Sequence, residues 1–365
     1  MSFSEWKEYK LEDVTINYNS KRVPLSSKER ELRQGKYPYY GAQGVIDFID
    51  KFILEGQYLL VAEDGANLET RNEDIARLTK NQEQFWVNNH AHILRSNENS
   101  DIRYIKYFLN KSDLSGYITG SAQPKLNKAN LNSIRMVLPP FEEQKAIAHI
   151  LSTLDEKIEV NNQINKTLEN MAQAYFDDMF PNVAAGDTTI GEYITPKRGK
   201  NLLSKDAISG EVPVIAGGLS PATYHNVSNT QSPVITISAS GANAGFVNLW
   251  TVPVWSSDSS FIDYGMTKDV YFWYVMLKKR QKEIYDSQTG SAQPHIYPKH
   301  ITIMPTIKLN VDEINLYTKR VTPLFKKIAN NLYEISKLQL IRETLLPKLM
   351  SGEIRVPMDE EGDLS

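Results

Sequence analysis

The sequence predicts an α+β protein in which two β-rich globular heads are separated by two long antiparallel coiled-coil helices, the halves being related by an internal pseudo-two-fold repeat. Three observations predict it. The hexapeptide Thr-Gly-Ser-Ala-Gln-Pro runs from Thr119 to Pro124 and again from Thr289 to Pro294, 170 residues later, and a chance match of six residues is improbable. Short apolar runs between Gly, Asn, Ser and Pro clusters precede each copy, which is the pattern of strands joined by irregular loops. After each copy, apolar residues recur at alternating steps of four and three, the seam of a coiled coil.

The chain's 365 residues exceed what one core organises, since domains run to about 150 residues each. The first head is expected over residues 1–140, with a strand within Gln57 to Ala62 and a minor helix at Ile102 to Asn110. A spacer helix follows over 141–181, with Ile147, Leu151, Leu154, Ile158, Asn161, Asn165, Leu168, Ala172, Tyr175 and Met179 on its seam. Pro139 and Pro140 mark its entry, and Glu142 and Glu143 suit its first turn. The second head covers 182–310, with a strand within Pro233 to Ser238 and a helix at Val270 to Arg280. The second spacer helix, 311–352, repeats the register from Tyr317 and Val321 to Leu345 and Leu349, with Pro323 and Pro347 expected to disturb its ends. Each helix of about 38 residues would be about 57 Å long. Because one helix leaves each head, packing their seams together makes them antiparallel and gives a dumbbell. The polar seam residues Asn161, Asn165 and Asn331 would cost stability but fix register. An acidic tail, 353–365, closes the chain, and Met358 to Ser365 is expected to lack fixed structure.

Composition narrows the function. With 41 Lys and Arg against 44 Asp and Glu the net charge is −3, which excludes a uniformly basic coat that grips polyanions by charge alone but leaves room for local patches. The hydrophobic share of 41% excludes general disorder. The absence of Cys removes disulfides, thiolate nucleophiles and Cys-ligated zinc or iron–sulfur sites. The first ten residues lack an apolar core for export, and no apolar run approaches the roughly 18 residues needed to span a bilayer, so a cytoplasmic protein with no membrane role is expected.

Catalytic constellations do not assemble. There is no phosphate-cradling GxxxxGK[ST], no GxGxxG after a strand and no HExxH. His90 and His92 could share a strand face, but Asp258 and Ser260 stand at the matching positions of the second copy, so no metal is expected. Asp155-Glu156-Lys157 superficially resembles the acidic half of a nuclease site, yet on the spacer helix it is expected to be a solvated face. Leu138-Pro139-Pro140-Phe141 resembles the loop with which amino-methyltransferases hold a target base amine, but Leu replaces the required amide.

The stretch from Leu138 to Ile158 following the first hexapeptide, and Leu346 to Ile354 in the second copy, closely resemble the DNA-specificity subunit of type I restriction-modification systems. The resemblance covers nearly the whole chain and rests on the order of head, hexapeptide and heptad helix, given twice. It implies that each head, a target recognition domain, reads one half of a split asymmetric site in double-stranded DNA while the helices set the spacing. It further implies two methyltransferase subunits docked on the helices and motor-nuclease subunits beside them. No cofactor would bind this chain; S-adenosylmethionine, ATP and Mg would belong to those partners. The second copy departs from the pattern, having Pro305 to Leu309 where the proline pair and its surroundings would be, and Asn315 in place of Lys145.

What is identical in both heads cannot distinguish two half-sites, so the hexapeptides, with Gln123 and Gln293 and the neighbouring Lys125, suit shared tasks such as phosphate contact or seating of the head. Differences must carry the code. The loops pair Asn88, Asn89 and His90 with Ser256, Ser257 and Asp258, all able to hydrogen-bond base edges. Lys21, Arg22, Lys36 and Arg71 in the first head, and Lys197, Arg198, Lys200, Tyr224 and His225 in the second, are candidates for phosphate or base contacts. Gly65 and Gly241 suit tight turns, with Asn67 and Asn243 beside them. The competing reading is a coiled-coil scaffold whose heads bind protein or glycan; a basic groove on both heads would argue against it and an apolar patch would favour it. A self-contained methyltransferase or nuclease is disfavoured by the missing site residues.

Overall fold

The computed structural model describes residues 5–120, 123–290 and 293–356. It forms two compact units, one comprising residues 1–158 with 337–365 and the other residues 159–336. The α+β class expected from the sequence is found in both.

In the first unit, strands Thr15–Asn17, Ala91–Ser96, Leu59–Ala62 and Ala76–Leu78 lie in that order in an antiparallel sheet. A second sheet orders Gly44–Ile49, Gln34–Gly41, Gln84–Val87 and Leu54–Glu55, with its central pair parallel. The apolar run Leu59–Ala62 is buried throughout because each face of its strand meets a different core. Leu59 and Val61 join Tyr104, Ile105, Leu109, Met136, Ile147, Leu151 and Leu349 on the helical side, whereas Leu60 joins Tyr58, Phe85, Val87 and Ile93 on the other.

The second unit repeats this plan. Lys197–Arg198, Ser259–Asp263, Val234–Ser238 and Val247–Trp250 form an antiparallel sheet, and Thr223–His225, Val212–Ile215 and Trp255–Ser256 form a second with one parallel pair. The helix Val270–Lys279 stands where Ile102–Lys111 stands in the first unit. Its Phe272, Val275, Met276 and Leu277 pack with Ile235, Ile237, Ile262, Phe176 and Tyr317.

The long helices Phe141–Met179 and Val311–Met350 contribute to both units. Within the second unit their pairing is antiparallel, because Asn161 bonds Glu334 (2.9 Å), Asn165 bonds Asn331 (2.8 Å) and Ala172 accepts from the Tyr317 hydroxyl (2.9 Å). Asn161, Asn165 and Asn331 are all buried, so they are true seam residues. Within the first unit Asp155 meets Arg342 (2.8 Å) and Glu143 meets Arg355 through two hydrogen bonds (2.6 and 2.7 Å), in the same antiparallel sense.

Two expectations are corrected. Val311–Met350 is one helix that passes through Pro323 and Pro347. Both prolines lie on exposed positions, where water can take up the carbonyl left without its helical partner. Of Asp155-Glu156-Lys157, Glu156 and Lys157 are exposed as expected, whereas Asp155 is half-buried and accepts from Tyr107 Oη (2.6 Å), Lys106 (3.2 Å) and Arg342. The partners that enclose it come from distant sequence. Of the acidic tail, Arg355 is fixed on Glu143, while Met358 to Ser365 lie outside the described residues.

Candidate nucleic-acid interface

Each hexapeptide closes a hairpin pinned to the sheet in the same way. In the first unit Thr119 and Lys125 exchange backbone hydrogen bonds (2.9 and 2.7 Å), Pro124 accepts from the Gly65 amide (3.2 Å) and Glu63 accepts from that of Leu126 (2.8 Å). In the second, Thr289 and His295 exchange bonds (3.0 and 2.8 Å), Pro294 accepts from Gly241 (3.1 Å) and Ala239 from Ile296 (2.9 Å). Gly120 and Gly290 have φ of 91° and 97°. A Cβ at either would lie 2.5 Å from the carbonyl oxygen of Gln123 or Gln293, so the turn needs glycine. Gln123 and Gln293 are exposed. Ser121, Ala122, Ser291 and Ala292 lie outside the described residues.

Beside the first hairpin stands a charged cluster. Glu63 receives Arg22 in a short ion pair and Lys125 at 3.3 Å. Burial pushes the Glu63 carboxyl up, but the Arg22 hydrogen bond and the surrounding positive charge outweigh it and hold the group below its ordinary range. Arg22 also donates to the carbonyls of Asn89 (3.2 Å) and Ala91 (3.3 Å). His90, exposed, lies with Nδ1 2.7 Å from Asp64 Oδ2. His92 is fully buried between Asn19 (2.8 Å) and the Leu126 carbonyl (2.7 Å). Burial lowers its pKa, so it is neutral near pH 7. Among the described residues no group of three or more His, Asp and Glu is arranged to hold a metal.

The second unit places Asp258 where the first has His90. Its carboxylate takes Arg198 (2.6 Å) on one oxygen and the Ser240 hydroxyl, in a short bond, on the other. The Ser240 backbone lies antiparallel to that of His295 beside the second hairpin. Lys197 and Lys200 are exposed, as is Tyr224.

Several residues expected to touch DNA are turned inward. Asn67 is buried and exchanges bonds with the Glu73 backbone (2.9 and 3.0 Å). Asn88 is buried and accepts from the His90 amide (2.8 Å). His225 is buried against Trp255 and accepts from the Ile208 amide (2.9 Å). Ser256 bonds Ser259 (2.8 Å) and Ser257 accepts from Leu202 (2.9 Å), both within the head. Arg71, in a left-handed conformation (φ 50°), donates to the carbonyls of Leu109 (3.2 Å) and Ser112 (3.0 Å). These side chains bond within the head, mostly to backbone groups that loops and helix ends leave unpaired. Lys21, Lys36, Asn89 and Lys125 remain at the surface of the first head, and Asn243 is half-buried in the second. The missed residues are Asp64 and Ser240, which hold His90 and Asp258; their matched place in the repeat was the available signal.

The surface offers backed donors and acceptors around a shared hairpin, differing between units at matched positions, an arrangement suited to recognition. A family model described as the type I restriction modification DNA specificity domain matches residues 3–170. A Haemophilus influenzae protein assigned as a type I restriction enzyme specificity subunit is 34% identical over 151 residues, covering 41% of this chain and 37% of the relative. The MjaIX specificity subunit of Methanocaldococcus jannaschii is 25% identical over 314 residues, covering 69% of each chain. The crystal structure of a type I restriction-modification S subunit from M. genitalium shares the fold, with a TM-score of 0.66 and 21% identity over 95% of this chain and 96% of that one.

Proposed function

We propose that this chain, whose residues 3–170 match the type I specificity domain and whose relatives are type I specificity subunits, is such a DNA-specificity subunit and that its two heads read the two halves of a split, asymmetric duplex sequence. The observation that carries this reading is a duplicated frame with unequal surfaces: the same pinned hairpin beside His90–Asp64 in one head and Arg198–Asp258 in the other. The shared hairpin and exposed Lys21, Lys125, Lys197 and Lys200 contact phosphates and set the register on the backbone. The unequal groups read base edges in the major groove. The relatives favour this over a scaffold for protein or glycan.

The long helices fix the distance between half-sites and dock two methyltransferase subunits. Val160, Ile164, Leu332, Leu340 and Ile341 are exposed apolar residues on them, suited to burial by a partner. Methylation by those subunits with S-adenosylmethionine, and translocation and cleavage by motor-nuclease subunits with ATP and Mg, leave this chain a non-catalytic role in the cytoplasm. No described helix is long and apolar enough to cross a membrane.

Selection from a pool of random duplexes tests the reading. The purified complex of this chain with its methyltransferase should enrich a two-part sequence with a fixed gap. Enrichment of nothing, or of one contiguous sequence, would contradict it.

A further inference from the structure

Each head carries a Lys-Arg dipeptide, Lys21-Arg22 and Lys197-Arg198, but at different places: Arg198 lies in the edge strand opposite Ser260, whereas Arg22 lies in the loop beyond the corresponding edge strand Thr15–Asn17. The two arginines end in different places. Arg22 is held inward by Glu63 and by the carbonyls of Asn89 and Ala91, leaving 19% of its side chain exposed. At the position of Glu63 the second head has Ala239, which is buried and offers no carboxylate. Arg198 instead bonds Asp258 at the surface, with 42% of its side chain exposed. Asp258 is itself fixed by Ser240.

We propose that Arg198 is a guanine-reading residue of the second head and that Arg22 is structural in the first. This rests on the DNA-reading role proposed above. A guanidinium presents five donors in a planar fork. In the second head the carboxylate of Asp258 occupies one amino group of Arg198 and orients the plane, and the remaining donors match the O6 and N7 acceptors of guanine in the major groove. Nη1 of Arg22 is taken by Glu63 and two carbonyls and Nε by the carbonyl of Asn19, which hold the guanidinium inward, so it keeps a loop closed and reads nothing. The outward base-facing position in the first head passes to His90, backed by Asp64. The carboxylate of Glu63 thus fastens Arg22 inward, and that of Asp258 holds Arg198 at the surface.

The experiment expresses the full chain with its methyltransferase subunit and maps N6-methyladenine, first for the wild type and then for Arg198→Ala, Arg198→Lys and Arg22→Ala, each variant also followed by thermal unfolding. Both substitutions at Arg198 should keep one half-site and the gap while relaxing a single guanine in the other half, with discrimination at that base falling by about tenfold to a hundredfold. Arg198→Lys keeps the charge but loses the fork, so it separates base reading from phosphate attraction. Arg22→Ala should leave every letter of the sequence unchanged and lower the unfolding temperature. An unchanged sequence for both Arg198 variants would overturn the proposal. So would loss of all methylation by Arg198→Lys at an unaltered unfolding temperature, or a relaxed base for Arg22→Ala. A wild-type chain that directs no split sequence is a separate failure, of the DNA-reading role itself.

Discussion

Replacing Asp155 by Ala leaves three donors without their acceptor. Arg342 (2.8 Å), Tyr107 Oη (2.6 Å) and Lys106 (3.2 Å) all converge on this carboxylate, and together they fasten the helix Ile102–Lys111 and the end of Val311–Met350 to Phe141–Met179 within the first unit. Hydrogen bonds contribute about 1 kcal/mol each net, so three sum to about 3 kcal/mol. The Asp155 side chain is 25% exposed and that of Arg342 32%, and solvent screening reduces the sum to about 2 kcal/mol. For a unit of this size that lowers the unfolding temperature by about 4–8 °C. Burial pushes the Asp155 carboxyl up, but Lys106 and the bonds from Tyr107 and Arg342 outweigh it, so its folded pKa lies below the ordinary value. Its stabilisation is therefore complete above the unfolded pKa of about 4 and is lost as the pH falls through the lower folded value. Thermal unfolding of the full chain followed by circular dichroism should show an Asp155→Asn deficit that is constant from about pH 8 to about pH 5 and closes in acid. An Asp155→Ala variant that unfolds within about 1 °C of the wild type would refute the fastening.

The seam amides make an opposed pair of predictions. Asn331→Leu alone strands Asn165 in the buried seam and should cost about 1–2 kcal/mol in chemical denaturation, whereas Asn165→Leu with Asn331→Leu should recover that loss or exceed it. Gly120→Ala forces a Cβ against the Gln123 carbonyl at a positive φ, so the hairpin should open to limited proteolysis with a cost of about 1–3 kcal/mol. Matched insertion of one heptad in both long helices adds about 10 Å, or about three base pairs, and mapped methylation should show the same half-sites at a wider gap. Because the net charge is only −3, an isolated head should bind duplex far more weakly than the complex, which a titration at fixed salt measures.

The architecture was legible because it is written in periods and in repetition. The four-three spacing from Ile147 to Met179 and the doubled hexapeptide required no knowledge of distant contacts. The buried strands Leu59–Ala62 and Val234–Ser238 were legible from their apolar runs. Long-range partners were not. Asp155 reads as a surface residue until Arg342 and Tyr107 arrive from 187 and 48 residues away. The loop residues Asn88, Ser256 and Ser257 have the right chemistry for bases, but the same chemistry satisfies loop backbone, and only the fold shows them turned inward. The prolines of the second helix misled because the cost of a helical proline falls where its freed carbonyl is wet.

The central claim is that this chain chooses the sequence its partners modify. It is tested most directly by co-expressing the chain with its methyltransferase subunit and mapping N6-methyladenine across the host DNA by single-molecule sequencing, with and without the chain. The account predicts one split, asymmetric sequence that vanishes when the chain is deleted. Methylation that persists unchanged without the chain, with the methyltransferase confirmed active, would contradict it.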